Sequence, residues 1–208
     1  MPEVESSPAG GTAPEDETLV RLARQGSRPA CDELFRRHRG IAYRVAYRLL
    51  GNEQDALDAV QDGSLKAFSG LDDFDGRSGF RTWLVRIVSN AAIDLGRKRG
   101  RRAVLGGGRG GGGGGDGEPR HPGASDGDDP ARGLHREDLR RALDAALARL
   151  SPKLRTTFVL FAEAGFSYKE IAEAQHVPIG TVMSRLHEAR QKLQSFPEIQ
   201  ALEGIDKV

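Results

Sequence analysis

Thr181, Ser184, Arg185, His187, Glu188 and Arg190 crowd into one short segment, GTVMSRLHEAR at 180–190. Hydroxyl, carboxylate, imidazole and guanidinium groups donate to and accept from base edges, or bring charge to phosphates. That is the chemistry of duplex DNA recognition, provided a helix presents the groups on one face. Val182, Leu186, Ala189 and Leu193 fall at i, i+4, i+7 and i+11, an apolar stripe that anchors the opposite side of such a helix. Val177-Pro178 breaks the chain just before it, with Pro178 expected as the first helical residue. Upstream, Ser167 and Glu170 make a capping box for a short helix with Ile171 and Ala172 on its inner side. Box, break and stripe within 166–193 have the spacing of a helix-turn-helix that enters a major groove. Arg185 and Arg190 flank the exposed face and suit phosphates, while Ser184 and Glu188 lie nearer its centre. His187 adds a pH-sensitive group. The competing reading is a plain helical hairpin with a solvated face.

A second constellation lies in the first half and is electrostatic. The net charge is +1, which conceals a sharp segregation. Residues 51–75 hold seven acids against Lys66 alone, and residues 77–102 hold eight bases against Asp94 alone. The basic segment fits phosphate binding. The acidic one cannot, so it faces a basic protein surface or solvent.

The elements that must position these groups are helices. The chain has 208 residues, enough for one or two domains, and 38% are hydrophobic, too few for one large core. Helices are expected at about 16–25, 30–50, 53–69, 78–89 and 91–103. Leu34, His38, Ile41, Val45 and Leu49 lie near one face of the second. Residues 106–117 then contain ten glycines in twelve positions, a composition that loses too much backbone entropy to pack. Helix resumes near 135–150 with Leu139, Leu143, Leu147 and Leu150 on one stripe. Ser151-Pro152 restarts it as N-cap and N1, and Leu154, Phe158 and Phe161 supply the next inner face up to Gly165. No stretch alternates with period two for long enough to form a strand. The expected fold is all-α, with two small helical domains at 16–105 and 134–196. A flexible, mildly acidic linker at 106–133 joins them. Residues 1–15 form a disordered tail, and 197–208 are too short for a further domain. The single Cys31 excludes an internal disulfide framework, and no histidine sits with cysteines at zinc spacing, so no metal or cofactor is expected. No apolar run approaches a membrane span, and the acidic N-terminus is neither signal nor transit peptide. The expected location is the cytoplasm.

Three segments carry a family resemblance. FRTWLVRIVSNAAIDLGRKRGRR at 80–102 resembles the promoter-melting segment of the bacterial sigma-70 family, in its small extracytoplasmic-function branch. DALDAVQDGSLKAF at 55–68 looks like the core-polymerase-binding helix of the same domain. LSPKLRTTFVLFAEAGFSYKEIAEAQHVPIGTVMSRLHEARQKL at 150–193 is similar to the promoter-binding C-terminal domain. The resemblance implies a sigma factor, not an enzyme, that holds RNA polymerase core and promoter DNA together. It gives the helix of Asp55, Asp58, Gln61 and Asp62 a partner in a coiled coil of the β′ subunit, with β as a further contact. It makes Asn90 the start of a loop that captures a flipped −10 base, with Ala91 and Ala92 leaving room for it. A helix cap is the alternative role for Asn90. Arg97, Lys98, Arg99, Arg101 and Arg102 then hold −10 phosphates, and Trp83 packs with Phe80 and Leu84. The helix-turn-helix is implied to read the −35 element. The linker would cross the RNA-exit region as an acidic mimic or act as a tether, and an anti-sigma factor is an implied partner. One departure stands out: Gly63-Ser64 replaces a bulky pair after Asp62, and the glycine is expected to soften this helix.

Two other readings compete. A stand-alone helix-turn-helix regulator shares the C-terminal motif but leaves the acidic helix and the Trp83–Asn90 segment without a role. A DNA recombinase would need a nucleophile or carboxylate cluster in a concave site, and Asp72, Asp73 and Asp75 look instead like a turn at a helix end.

Overall fold

A computed structural model describes residues 15–105, 130–197 and 199–200. Most of the expected tails and most of the linker lie outside the described residues. Among these, the structure is helical with no strand. The first half comprises α1 (Asp16–Arg24), α2 (Arg28–Leu50), α3 (Glu53–Ser69) and α4 (Phe80–Leu105), with a 3-10 turn at Leu71–Asp73. The second comprises α5 (Pro130–Arg149), α6 (Pro152–Ala162), α7 (Tyr168–Gln175) and α8 (Ile179–Ser195).

Local chemistry sets the boundaries. α2 ends at Gly51 in the left-handed conformation, φ 75°. Asn52 then caps α3, its Oδ1 accepting from the Asp55 N–H at 2.8 Å. The capping box of α7 forms as expected: the Ser167 N–H donates to Glu170 Oε2 at 2.8 Å, and the Glu170 N–H donates to Ser167 Oγ at 3.3 Å. The expected limits of α3 match the structure.

Four local expectations fail. The two helices drawn at 78–89 and 91–103 are one continuous α4, because buried Val88, Ala91 and Ala92 carry the apolar face through Asn90 without a break. Pro178 is the N-cap of α8, extended at ψ 149°, and Ile179 is its first helical residue. α5 begins at Pro130, so helix takes up the last residues assigned to the linker. Leu139 is exposed, whereas Leu147 and Leu150 are buried, so the α5 stripe packs only toward its C-terminal end.

The first core gathers Leu34, Ala42 and Ala46 of α2, Ala56, Ala59 and Ala67 of α3, and Leu84, Val88 and Ala92 of α4. Phe74, Phe80 and Trp83 add an aromatic corner with ring centroids 5.2–6.0 Å apart, which makes Trp83 a packing residue as expected. α3 and α4 approach closely at Gly63. A Cβ there would lie 2.7 Å from Val88 Cγ2 and 2.8 Å from Val88 Cα. Gly63 is therefore the contact point of a helix crossing rather than a soft spot.

The second core holds Leu154, Val159 and Leu160 of α6, Ile171 and Ala174 of α7, and the stripe Val182, Leu186, Ala189 and Leu193 of α8. It also takes in Ile41, Val45 and Val85 from the first half. The two halves expected as separate domains thus share apolar surface.

Candidate nucleic-acid interface

The helix-turn-helix is built from α7, a tight turn and α8. His176 closes α7 in the left-handed region, φ 52°, and the Val177 N–H reaches back to the Ala172 carbonyl at 3.0 Å. The stripe of α8 is fully seated, each of its large apolar side chains stabilising the packing by about 1.5–3 kcal/mol. Its opposite face is open. Ser184, His187, Glu188 and Arg190 are exposed and Thr181 is half-buried.

Several of these groups already have partners in the protein. The Arg185 guanidinium donates to Gln175 Oε1 at 2.7 Å, and Thr157 Oγ1 donates to the same oxygen at 3.0 Å. Arg185 therefore ties α8 to α7. Lys192 pairs with Glu188 at 2.7 Å. The Arg190 guanidinium lies over the Phe161 ring, 5.2 Å from its centroid. Ser184 Oγ donates to the Thr181 carbonyl at 3.1 Å. Two residues overlooked in the sequence are exposed at the start of α8: Ile179 is 46% and Met183 54% exposed. Met183 lies off the buried stripe and was legible for that reason, whereas Ile179 stands three residues before Val182 on the stripe's own spacing and is exposed because it opens the helix.

In the first half, α4 runs out of the core into its basic end. Arg97, Lys98, Arg99, Arg101 and Arg102 are all exposed. Arg99 is also engaged with Asp55 of α3 in an ion pair. Asn90 is exposed at mid-helix and caps neither end, while Ala91 and Ala92 turn into the core. Ala92 nevertheless borders, together with Asn90, the cleft between the two halves.

The acidic helix α3 splits its candidates. Asp55 is committed inward, to Asn52 Nδ2 at 2.7 Å and to Arg99. Asp58, Gln61 and Asp62 face outward, Asp62 with Lys66 at 2.7 Å. Leu57 and Leu65 are exposed beside them, at 48% and 63%. This acidic face carries apolar groups at i and i+8, a combination suited to a protein partner.

The halves meet around a cleft of about 1150 Å³ that brings Asn90, Arg97 and Arg99 to the same concavity as Arg155, His176 and Arg185. Around the shared apolar contact, Arg44 Nε lies 2.6 Å from Glu163, Arg48 pairs with Asp144, and Arg81 donates to the Ala164 carbonyl at 2.7 Å. Thr82 Oγ1 donates to Glu170 Oε1 at 3.1 Å. Burial would raise the Glu170 pKa, but hydrogen bonds from the Ser167 backbone and hydroxyl and from Thr82, with Arg81 nearby, hold it below its usual value. No group of three or more metal-ligating side chains comes together among the described residues. No helix among them is long and apolar enough to cross a membrane.

Two helical units, a helix-turn-helix and an acidic–apolar face on a separate helix define the class: a helical DNA-binding protein with a second surface for a protein. Residues 34–102 match the model of sigma-70 region 2, and residues 140–193 match that of sigma-70 region 4. The extracytoplasmic-function sigma factor SigE of Mycolicibacterium smegmatis is 35% identical over 172 residues, covering 83% of this chain and 63% of that one. The RNA polymerase sigma-H factor of Pseudomonas aeruginosa is 30% identical over 184 residues, covering 88% and 93%. Among solved structures, CnrH in complex with the cytosolic domain of CnrY superposes with a TM-score of 0.62 at 28% identity, over 86% of this chain and 95% of that one. The sigma factor RpoE of Bartonella quintana, in complex with the anti-sigma factor NepR, gives 0.54 at 30% identity over 74% and 87%. The chain belongs to the sigma-70 family, in its extracytoplasmic-function branch. It is a promoter-specific sigma factor that binds RNA polymerase, a transcription initiation factor.

Proposed function

We propose a division of labour between the two halves, at 16–105 and 134–196. The first docks the outward face of α3, with Asp58, Gln61 and Asp62, on a basic coiled coil of the β′ subunit, while β takes further contacts. Asp55 acts there indirectly, by holding α3 to α4 through Arg99. Asn90 contributes its amide to a flipped −10 base, since an amide both donates and accepts. Arg97, Lys98, Arg101 and Arg102 follow the −10 phosphates, and Arg99 joins them from its pair. The second half lays α8 in the −35 major groove, with Thr181, Ser184 and His187 toward the bases. Arg185 and Arg190 are braced at the edges by their own partners, and Glu188, nearer the centre, is paired with Lys192. The polymerase supplies the catalysis. An anti-sigma protein is the expected regulator, and the expected compartment is the cytoplasm.

One observation carries this reading. Each surface it needs is turned outward on its own helix: acids on α3, bases on α4 and polar groups on α8. The test mixes the protein with core polymerase and a genomic template pool and sequences RNA 5′ ends. New start sites preceded by a shared pair of elements are expected. Start sites no different from those of core enzyme alone would overturn it.

A further inference from the structure

The N-terminal end of α8 carries two exposed apolar side chains. Ile179 and Met183 stand one helical turn apart, on the same side of the helix. They are two of the five exposed large hydrophobic residues among those described. The stripe that anchors α8 leaves both of them out. Gly180, between them, has open space where a Cβ would stand, so the backbone there is bare to an approaching surface.

Water is a poor neighbour for two such groups, and the surroundings point to what replaces it. Residues 139–197 hold nine bases against five acids, an excess that suits a polyanion better than an apolar protein surface. In a helix-turn-helix, the first turns of the second helix meet the base edges. The one apolar feature of a major-groove edge is the 5-methyl group of thymine. Most polar groups on this face are already held within the protein: Ser184 by the Thr181 carbonyl, Arg185 by Gln175, Glu188 by Lys192 and Arg190 by Phe161. The apolar pair stands with Thr181 and His187 among the groups whose side chains are not held in this way, and it lies in the first turn or so of the helix.

We infer that Ile179 and Met183 are specificity-determining residues that select thymine methyl groups in the −35 element. This rests on the placement of α8 in that groove. Four residues advance a helix by about 6 Å, and base pairs are spaced about 3.4 Å apart. The two thymines therefore lie within about two base-pair steps of each other, on the same or opposite strands.

Deoxyuridine tests this directly, because it differs from thymidine by the methyl alone. Holoenzyme, assembled from the full chain and core polymerase, first selects duplexes from a library randomised upstream of the −10 element. Each thymine of the enriched −35 sequence is then replaced by deoxyuridine, and affinity is measured for wild type, Ile179→Ala and Met183→Ala. Both side chains are exposed, so the variants keep their fold, which a melting curve verifies. At two nearby positions wild type should lose about three- to fivefold on losing the methyl, the size of one apolar group withdrawn from contact. Each alanine variant should bring the thymine-to-uracil ratio close to one at its own position and leave the other unchanged. Uracil tolerated at every position overturns the inference, as do ratios that neither variant moves. Unmoved ratios with lost transcription would assign the pair to a protein partner instead. A library with no enriched −35 sequence overturns the placement of α8 itself, and this inference with it.

Discussion

Gly63 shows how one residue can be misread from its type alone. Mid-helix glycine costs about 1 kcal/mol relative to alanine, so on propensity Gly63→Ala should stabilise α3. Packing opposes this, because the new Cβ would meet backbone as well as side chain at Val88. Overpacking of that kind costs about 1–3 kcal/mol, and a backbone contact that cannot rotate away falls at the upper end. Gly63→Ala should therefore destabilise the protein by about 2 kcal/mol net in urea unfolding. Adding Val88→Ala should not rescue it, because Val88 Cα remains. Asn90 is a different case. It is exposed and caps nothing, so Asn90→Ala should leave stability unchanged or a few tenths of a kcal/mol higher. A base contact is worth about 1–3 kcal/mol, so the same variant should lose tenfold or more of the preference at one −10 position. Arg102→Ala should instead weaken all promoters alike and flatten the salt dependence. The measurement is transcription from promoters varied at each −10 position, at two salt concentrations. Equal loss on every variant would remove Asn90 from base reading.

At the scale of elements, what the sequence revealed was what local chemistry decides. The capping box of α7, the stripe of α8 and the limits of α3 depend on neighbours within a turn or two, and all three were legible. The break expected at Asn90 was not real, because an asparagine reads as a cap only where the apolar face stops. Here Ala91 and Ala92 continue it. Leu57 and Leu65 were illegible for another reason: an apolar residue on a helix is read as core by default, and only the packed structure shows which side α3 turns outward. Tertiary contact also adds to the box of α7, where Thr82 of α4 donates to Glu170. That carboxylate has a lowered pKa, so the stability it contributes is fully present above the ordinary carboxylate value near 4.3. It fades as the pH falls from there through the lowered folded value. Glu170→Gln should cost about 1 kcal/mol at pH 7, the usual size of a cap. The difference between wild type and variant should shrink on acidification below about pH 4. Thermal midpoints measured between pH 3 and 7 decide this; a gap that stays constant would mean that the ionised carboxylate contributes nothing.

At the scale of the whole molecule, the two halves are more than beads on a tether. Ile41, Val45 and Val85 belong to the second core although they come from the first half. Nothing in their spacing distinguishes them from residues that face inward on α2 and α4, and the ten-glycine stretch between the halves reads as a separation, which is why two units were expected. The rim around them is electrostatic and spans distant stretches of chain. Arg48 of α2 pairs with Asp144 of α5 and lies 3.9 Å from Glu163, and Arg44 holds Glu163 from the same side. The Arg155 guanidinium closes the rim by donating to the Leu49 carbonyl at 3.1 Å. Arg48→Asp would set its carboxylate beside Asp144 and Glu163 and replace attraction by repulsion in a half-screened site. Exposed pairs are worth about 0.2–1 kcal/mol, whereas losing one partner of a buried pair costs about 3–5 kcal/mol. With both side chains largely but not wholly covered, a loss of about 2 kcal/mol between the halves is expected. Labels on exposed positions of α3 and α8 should then move apart, seen as lower energy transfer and a larger radius of gyration. Raised salt should reduce the difference between wild type and variant. The reciprocal change, Asp144→Arg in the same chain, should restore much of the closed distance, because the pair is re-formed with its signs exchanged. If Arg48→Asp leaves the label distance unchanged, the apolar contact of Ile41, Val45 and Val85 holds the halves by itself and the ionic rim is only decoration on it.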